Sequence, residues 1–243
     1  MTGMPQRRLV VFSGSGVSAD SGLDTFRTSG GESLWAQYDP QIVCNFDCWE
    51  KNFFLVHEFY SRRREELGKA APNPAHFLAV DWERRFGAEL ITQNVDDLFE
   101  RAGARAVLHV HGFLPALRCM SCGAQWLIGY RRFSPETDRC PKCGRLESVK
   151  PNVVFFNEPA PRYADMWRSL ENLSANDVLA VIGTSGLVLP IGEIARRSPA
   201  ATILSNLQPA DSPPDQDFDH VLHGRAAEVA PDLDRLVTEL MER

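Results

Sequence analysis

Long apolar runs, positive charge in excess and unpaired cysteines are all scarce in this chain, and each scarcity closes off a class of function. The opening stretch MTGMPQRRLVVFSGSG places glycines after only a few apolar residues. That is too short for a signal-peptide core and far too short for a membrane helix, so neither is expected and the cytoplasm is the expected location. Lys and Arg number 26 against 32 Asp and Glu, for a net charge of −6. The densest basic cluster, Arg62-Arg63-Arg64, is followed at once by Glu65 and Glu66. Nucleic acid is therefore not expected as a main partner. Of six cysteines, four fall in two CxxC pairs. Without a secretory signal, that pattern argues for metal in a reducing compartment and against a disulfide framework.

What is present is ordinary globular material: 243 residues, 44% hydrophobic and 24% charged, enough for one or two domains. Short apolar runs read as buried strands at 8–12, 88–92, 107–110, 178–183 and 201–206. Helical patterns cover 74–85, 95–102, 161–173, 191–197 and 231–242. Strands alternating with helices predict an α/β fold with a parallel sheet covered on both faces. Two stretches break the alternation, and there is no internal repeat. Residues 29–71 hold no convincing strand, and Trp49, Phe53, Val56 and Tyr60 recur at helical spacing. Residues 118–146 are polar, turn-rich and carry the cysteine pairs. The Pro-rich acidic segment 208–219 reads as an exposed loop.

Three segments carry chemistry. FSGSGVSADSG follows the first strand, and Gly14, Gly16 and Gly22 would let backbone approach a pyrophosphate at a helix start. A third glycine at the usual dinucleotide-binding spacing is missing, so the turn alone is a weak signal. TQNVDDLFERAG leaves a strand for a helix, which puts its polar residues where open α/β sheets bind ligands. Asn94 or Asp96 could equally be helix caps, but Gln93 has no such use. Cys119-x2-Cys122, 17 residues, then Cys140-x2-Cys143 is the strongest physical signal. Four thiolates in two knuckles close a tetrahedral site, which suits one structural Zn2+ and leaves no open position.

In order, these segments resemble the sirtuin family. GSGVSADSGLDTFR is similar to GAGISAESGIPTFR, with Ser15, Asp20 and Asp24 exchanged for Ala, Glu and Pro. TQNVDDLFERAG resembles TQNIDxLHxxAG, with Phe99 for His, and His111-Gly112 matches the family's HG. KPNVVFFNEP resembles RPxVVxFGE, with Asn157 for Gly. GTSGLVLP resembles GTSxxVxP, and the segments around SNLQ and HGRAAEVAPDL have family counterparts, so the likeness runs from about residue 8 to 240.

The resemblance implies a Rossmann-like NAD-binding domain (1–28, 72–117 and 147–243) and a small domain made of a zinc ribbon (118–146) and a helical insertion (29–71). It implies an enzyme, an NAD-dependent protein-lysine deacylase that releases nicotinamide and 2′-O-acyl-ADP-ribose from NAD+ and acylated lysine peptides. His111 would be the general base, a role suited to a near-neutral imidazole, with Asn94 as its catalytic companion and His109 in support. NAD+ contacts would come from Gly14, Ser15, Gly16, Ala19, Asp20, Thr25, Phe26 and Arg27, then from Gln93, Asn94, Val95 and Asp96. Gly183, Thr184, Ser185, Asn206, Leu207 and Ala226 would complete them. The peptide would lie on Val154, Phe156, Asn157, Glu158, Gly186 and Val188. One sirtuin branch carries Tyr-x-x-Arg in its acyl pocket; Tyr60 and Arg63 share that spacing and a helix face, which would suit succinyl- or malonyl-lysine. An ADP-ribosyltransferase or NAD hydrolase in the same pocket, favoured by Asn157, and an NAD-sensing module without activity stay open as alternatives. Nothing in the sequence bears on oligomeric state.

Overall fold

The structure is a computed structural model that describes residues 7–24 and 34–243. In chain order its elements are β1 (Leu9–Ser13), α1 (Gly16–Ala19), α2 (Leu34–Gln37), α3 (Pro40–Val43), α4 (Phe53–Lys69), α5 (Pro74–Phe86), β2 (Glu89–Thr92), α6 (Leu98–Ala102) and β3 (Val107–His109). There follow β4 (Gly112–Cys119), β5 (Gln125–Leu127), β6 (Val149–Val153), α7 (Tyr163–Glu171), β7 (Val178–Ile182), α8 (Ile191–Arg197), β8 (Ala201–Asn206), β9 (His220–His223) and α9 (Ala226–Glu242).

Six strands form a parallel sheet in the order β3-β2-β1-β7-β8-β9. Both faces are covered, and β1 shows why its run is continuously apolar. Leu9 and Val11 pack with Ala79, Trp82, Leu233 and Val237, on the side of α5 and α9. Val10 and Phe12 pack with Met166, Leu170, Ile191 and Ala195, on the side of α7 and α8. A strand with two buried faces has no polar side to show. The strand order reverses between β1 and β7, so a crevice opens at their carboxyl ends.

The expected helix 95–102 starts only at Leu98. The Val95 carbonyl accepts from the Leu114 amide at 2.7 Å, and the Leu98 amide bonds to the Asp96 carboxylate, so the preceding turn belongs to the loop. The last helix, expected from Pro231, begins at Ala226 and carries that proline inside. Interior proline costs roughly 3 kcal/mol. Burial of Leu233, Val237 and Leu240 gains roughly 1.5–3 kcal/mol each and outweighs it. Strand β9 is a finding the sequence did not announce: HVLH is short, bounded by histidines, and becomes a strand by pairing with β8.

A second, antiparallel sheet has the order β5-β4-β6. Helix α4 packs Val56, Phe59, Tyr60 and Leu67 against Leu114, Val153 and Phe155. Trp49, expected in the same helical stripe, is buried but precedes the helix. Polar contacts tie α4 to the ribbon and to β6: Arg64 donates to the Arg131 carbonyl, and His57 Nε2 to the Val149 carbonyl at 3.0 Å.

Candidate active site

The turns after β1 and β7 interlock at the crevice. Gly14 N donates to the Ile182 carbonyl at 2.9 Å and Gly16 N to the Gly183 carbonyl at 2.8 Å. A Cβ on Gly14 would sit 2.7 Å from Gly183 O, and one on Gly16 2.7 Å from Gly183 Cα. The close approach these glycines allow is therefore to Gly183. Their own amides are bonded to the neighbouring turn. Gly14 and Ser15 still line a cavity of about 490 Å3 that runs from the crevice toward the small sheet.

A buried hydrogen-bond chain supports the cavity floor. The Asn73 amide donates to His76 Nδ1 at 3.2 Å, so the ring proton lies on Nε2, 3.3 Å from Ser18 Oγ. Ser18 Oγ also receives Asn94 Nδ2 at 3.0 Å and donates to Asp96 Oδ2 at 2.9 Å. Every proton in this chain has one direction, which satisfies the buried groups and makes the arrangement rigid. Desolvation lowers the His76 pKa to about 4, in keeping with a neutral ring, and burial raises that of Asp96. Gln93 is held by a 2.8 Å bond from Nε2 to Thr184 Oγ1. Gln93, Asn94, Val95, Asp96, Thr184 and Ser185 all face the cavity.

His111 lies at the cavity wall just beyond β3. Its Nδ1 is 3.1 Å from the Gln93 carbonyl. A carbonyl only accepts, so Nδ1 carries the proton and the lone pair of neutral His111 is on Nε2. That lone pair meets Tyr163 Oη at 2.8 Å. Burial lowers the His111 pKa while the Gln93 carbonyl pulls the other way. His109 does not share this wall. Its Nδ1 faces the Asn94 carbonyl at 2.9 Å and its Nε2 meets Glu100 at 2.8 Å. Burial opposes its charging, but Glu100 prevails and its pKa is raised.

The loop after β6 forms the opposite wall. Buried Lys150 donates to the Val153 carbonyl at 2.6 Å and to Glu158 at 2.8 Å. Glu158 also accepts from the Phe155 amide at 2.9 Å. The Glu158 carboxylate thus holds the loop's shape, a use its expected place in substrate contact did not foresee. Phe156 pairs with the 44–46 segment, its amide donating to the Cys44 carbonyl at 2.7 Å. Val154, Phe156, Asn157 and Val188 line the cavity, with Phe156 and Val188 exposed at its rim.

Tyr60 and Arg63 line the same cavity from α4. Tyr60 is fully buried; its hydroxyl donates to Cys44 Sγ at 3.2 Å and its ring stacks on Phe155. The Cys44 thiol is held above its usual pKa by burial, with Tyr60 and Arg63 opposing.

The remaining candidates lie outside this wall. Asp20 accepts from Arg225 at 2.9 Å and from the Ala227 amide at 3.1 Å, so it is bound to the start of α9. Asn206 Nδ2 donates to the Thr184 carbonyl at 3.0 Å. Ala19, Leu207, Ala226, Gly16, Gly183 and Gly186 are not among the residues that line the cavity. Thr25, Phe26 and Arg27 lie outside the described residues. Ser18, His76, Tyr163, Lys150 and Cys44 were not singled out beforehand. Ser18 sits inside the quoted glycine segment and His76 in an Asn73 capping box; neither has a local signal for the bond that joins them.

The four ribbon cysteines converge, with all Sγ atoms within 4.8 Å of one another. Cys119 and Cys143 are 3.6 Å apart, Cys122 and Cys140 3.5 Å. Sulfurs around a tetrahedral zinc with bonds near 2.3 Å stand about 3.8 Å apart, so the four fit one structural Zn2+.

The sequence profile of the Sir2 family matches residues 14–190. An NAD-dependent protein deacylase of Helicobacter hepaticus is 45% identical over 238 residues, covering 89% of this chain and 91% of that protein. NAD-dependent protein deacylase 1 of Pseudomonas aeruginosa is 40% identical, with 93% of each chain covered. Among solved structures, a Sir2 homologue–ADP-ribose complex superposes with a TM-score of 0.84 at 35% identity, covering 98% of this chain and 94% of that one. A Sir2 homolog–NAD complex gives 0.80 at 36% identity, covering 98% and 91%.

Proposed function

This chain belongs to the Sir2 family and is an NAD-dependent protein deacylase, and from that premise we propose that His111 is its general base and that the cavity beside it receives the acyl-lysine. The observation that carries this reading is the fixed tautomer of His111. With Nδ1 tied to the Gln93 carbonyl, the lone pair of neutral His111 is on Nε2, which meets the hydroxyl of Tyr163, and both residues line the cavity. Burial favours the neutral ring, so the base is available near neutral pH. NAD, when bound, supplies the nicotinamide that leaves and the ribose hydroxyls that accept the acyl group. Gln93, set by Thr184, and Asn94 and Asp96, set by Ser18, present fixed polar groups to it. Because those groups are already ordered, binding costs little reorganisation. The Phe155, Phe156, Leu187 and Val188 side supplies an apolar entry that keeps water from the reacting centre. Cys119, Cys122, Cys140 and Cys143 would hold Zn2+, whose contribution is to close the ribbon.

Arg63 extends the reading to the acyl group. It lines the cavity one helical turn from Tyr60, and a guanidinium fork suits a carboxylate. Acetyl-lysine is the substrate, with succinyl- or malonyl-lysine thus accepted beside it. Location in the cytoplasm fits four thiolates that need a reducing compartment. No helix among the described residues is long and apolar enough to cross a membrane.

Incubation with NAD and acyl-lysine peptides, followed by mass spectrometry, tests the function. Free lysine peptide, nicotinamide and O-acyl-ADP-ribose should appear in equal amounts. ADP-ribosylated peptide, or nicotinamide release without deacylation, would replace the reading with its rivals. Asn157, the feature that favours those rivals, adopts a left-handed backbone conformation, and its side-chain amide donates to Asp47.

A further inference from the structure

We infer that Tyr163 is a positioning residue for His111: its hydroxyl holds the basic nitrogen, and a ribose hydroxyl that binds there takes its place. The inference rests on His111 being the base. Tyr163 opens α7, on a different element from every segment that aligns with a family motif, and lines the cavity.

The geometry leaves one assignment of protons. Gln93 O takes the proton of Nδ1, so the 2.8 Å contact at Nε2 has the Tyr163 hydroxyl as donor. An imidazole nitrogen has a single in-plane lone pair. The hydrogen bond therefore occupies the only position from which His111 could accept a proton from a substrate. The ring is gripped at both nitrogens, which fixes its plane and lowers the cost of ordering it. A phenylalanine at this position would keep the packing, with ring centroids 5.8 Å apart in the present pair, and lose only the grip.

The neighbouring ionisable groups are committed elsewhere. From the loop after β2, Asp96 is bound by Ser18 and the Leu98 amide. From β3, His109 is bound by Glu100. From the loop after β6, Glu158 is bound by Lys150. From α7, Tyr163 alone reaches His111 among the described residues. A donor on the lone pair stabilises the neutral ring, so removing it must raise the pKa of His111. The expected rise is about 0.4 to 1 pH unit, a 2- to 10-fold change in the dissociation constant, the range of one hydrogen bond.

The test is an NMR titration of the histidine rings in wild type and Tyr163→Phe, with His111 assigned by its own replacement. Each protein is titrated alone and saturated with ADP-ribose, which carries the ribose hydroxyls. The expected result is a raised His111 pKa in the NAD-free variant, an unmoved His109, and no difference between the proteins once ADP-ribose is bound. Three results would overturn the inference: no shift in the free protein, a shift shared by His109, or the same shift with ADP-ribose present. None of these depends on turnover, so the role of His111 as base is judged separately by His111→Ala.

Discussion

The side-chain amide of Asn157 donates to Asp47 at 2.7 Å while its own backbone sits at φ 65. The first contact ties the loop after β6 to the segment that carries Cys44. The second is the left-handed conformation that asparagine tolerates better than other residues with a Cβ. Asn157→Gly should therefore keep the fold and loosen the tie. Asn157→Ala should lose both the tie and the favourable conformation, at about 1–2 kcal/mol by urea unfolding. Equal stability of the two variants would show that backbone conformation is not what matters at this position.

His111→Ala should leave NAD binding largely intact and reduce deacylation at least about 100-fold, the lower end for a general base. Binding by calorimetry and turnover by mass spectrometry check the two halves. Near-normal turnover would move the base elsewhere.

Arg63→Met should reduce catalytic efficiency on succinyl-lysine by about 10- to 150-fold, the worth of a charge-assisted contact. Acetyl-lysine, which offers no carboxylate, should be spared. The two peptides are compared within one variant, so a general loss of stability cannot imitate the selective result. Equal losses would remove Arg63 from the acyl pocket.

Elemental analysis of freshly purified protein should find one zinc per chain. Chelation with thiol blocking should destabilise the ribbon and the α4 packing that leans on it, because Arg64 bonds to its backbone at Arg131. Unchanged melting after complete zinc removal would contradict the structural role.

Acid should destabilise the fold in a defined window. His57 stacks on Phe133 with ring centroids 3.6 Å apart, and burial lowers its pKa to about 4, as it does for His76. The folded pKa lies below the unfolded value of about 6.5, so the unfolded chain binds more protons between the two. Stability is then full above about pH 6.5 and falls as pH drops toward 4, by up to about 1.4 kcal/mol per pH unit for each ring. Urea unfolding from pH 7 to pH 4.5 measures the slope. His57→Phe should make it shallower, and an unchanged slope would show that His57 does not contribute.

Part of the candidate site was legible in the sequence, the cysteine ribbon from its spacing and the other segments from their places after strands and their likeness to sirtuin motifs. Two cysteine knuckles must close on one ion, the glycine turn must follow its strand, and TQN and His-Gly must stand at strand ends. The buried runs of β1, β7 and β8 follow equally from composition. What needed the tertiary structure are bonds between residues far apart in the chain. His76 reaches Ser18 across 58 residues and Tyr163 reaches His111 across 52. Asp20 caps the start of α9 from 207 residues away. The same holds for β9, a strand only because β8 offers it a partner, and for Pro231, kept inside α9 because the burial of its neighbours outweighs a lost hydrogen bond. Local preference determines which residues are available to the site; packing decides which donor meets which acceptor, because the free energy of an orphaned buried polar group depends on its neighbours in space and not on its neighbours in sequence.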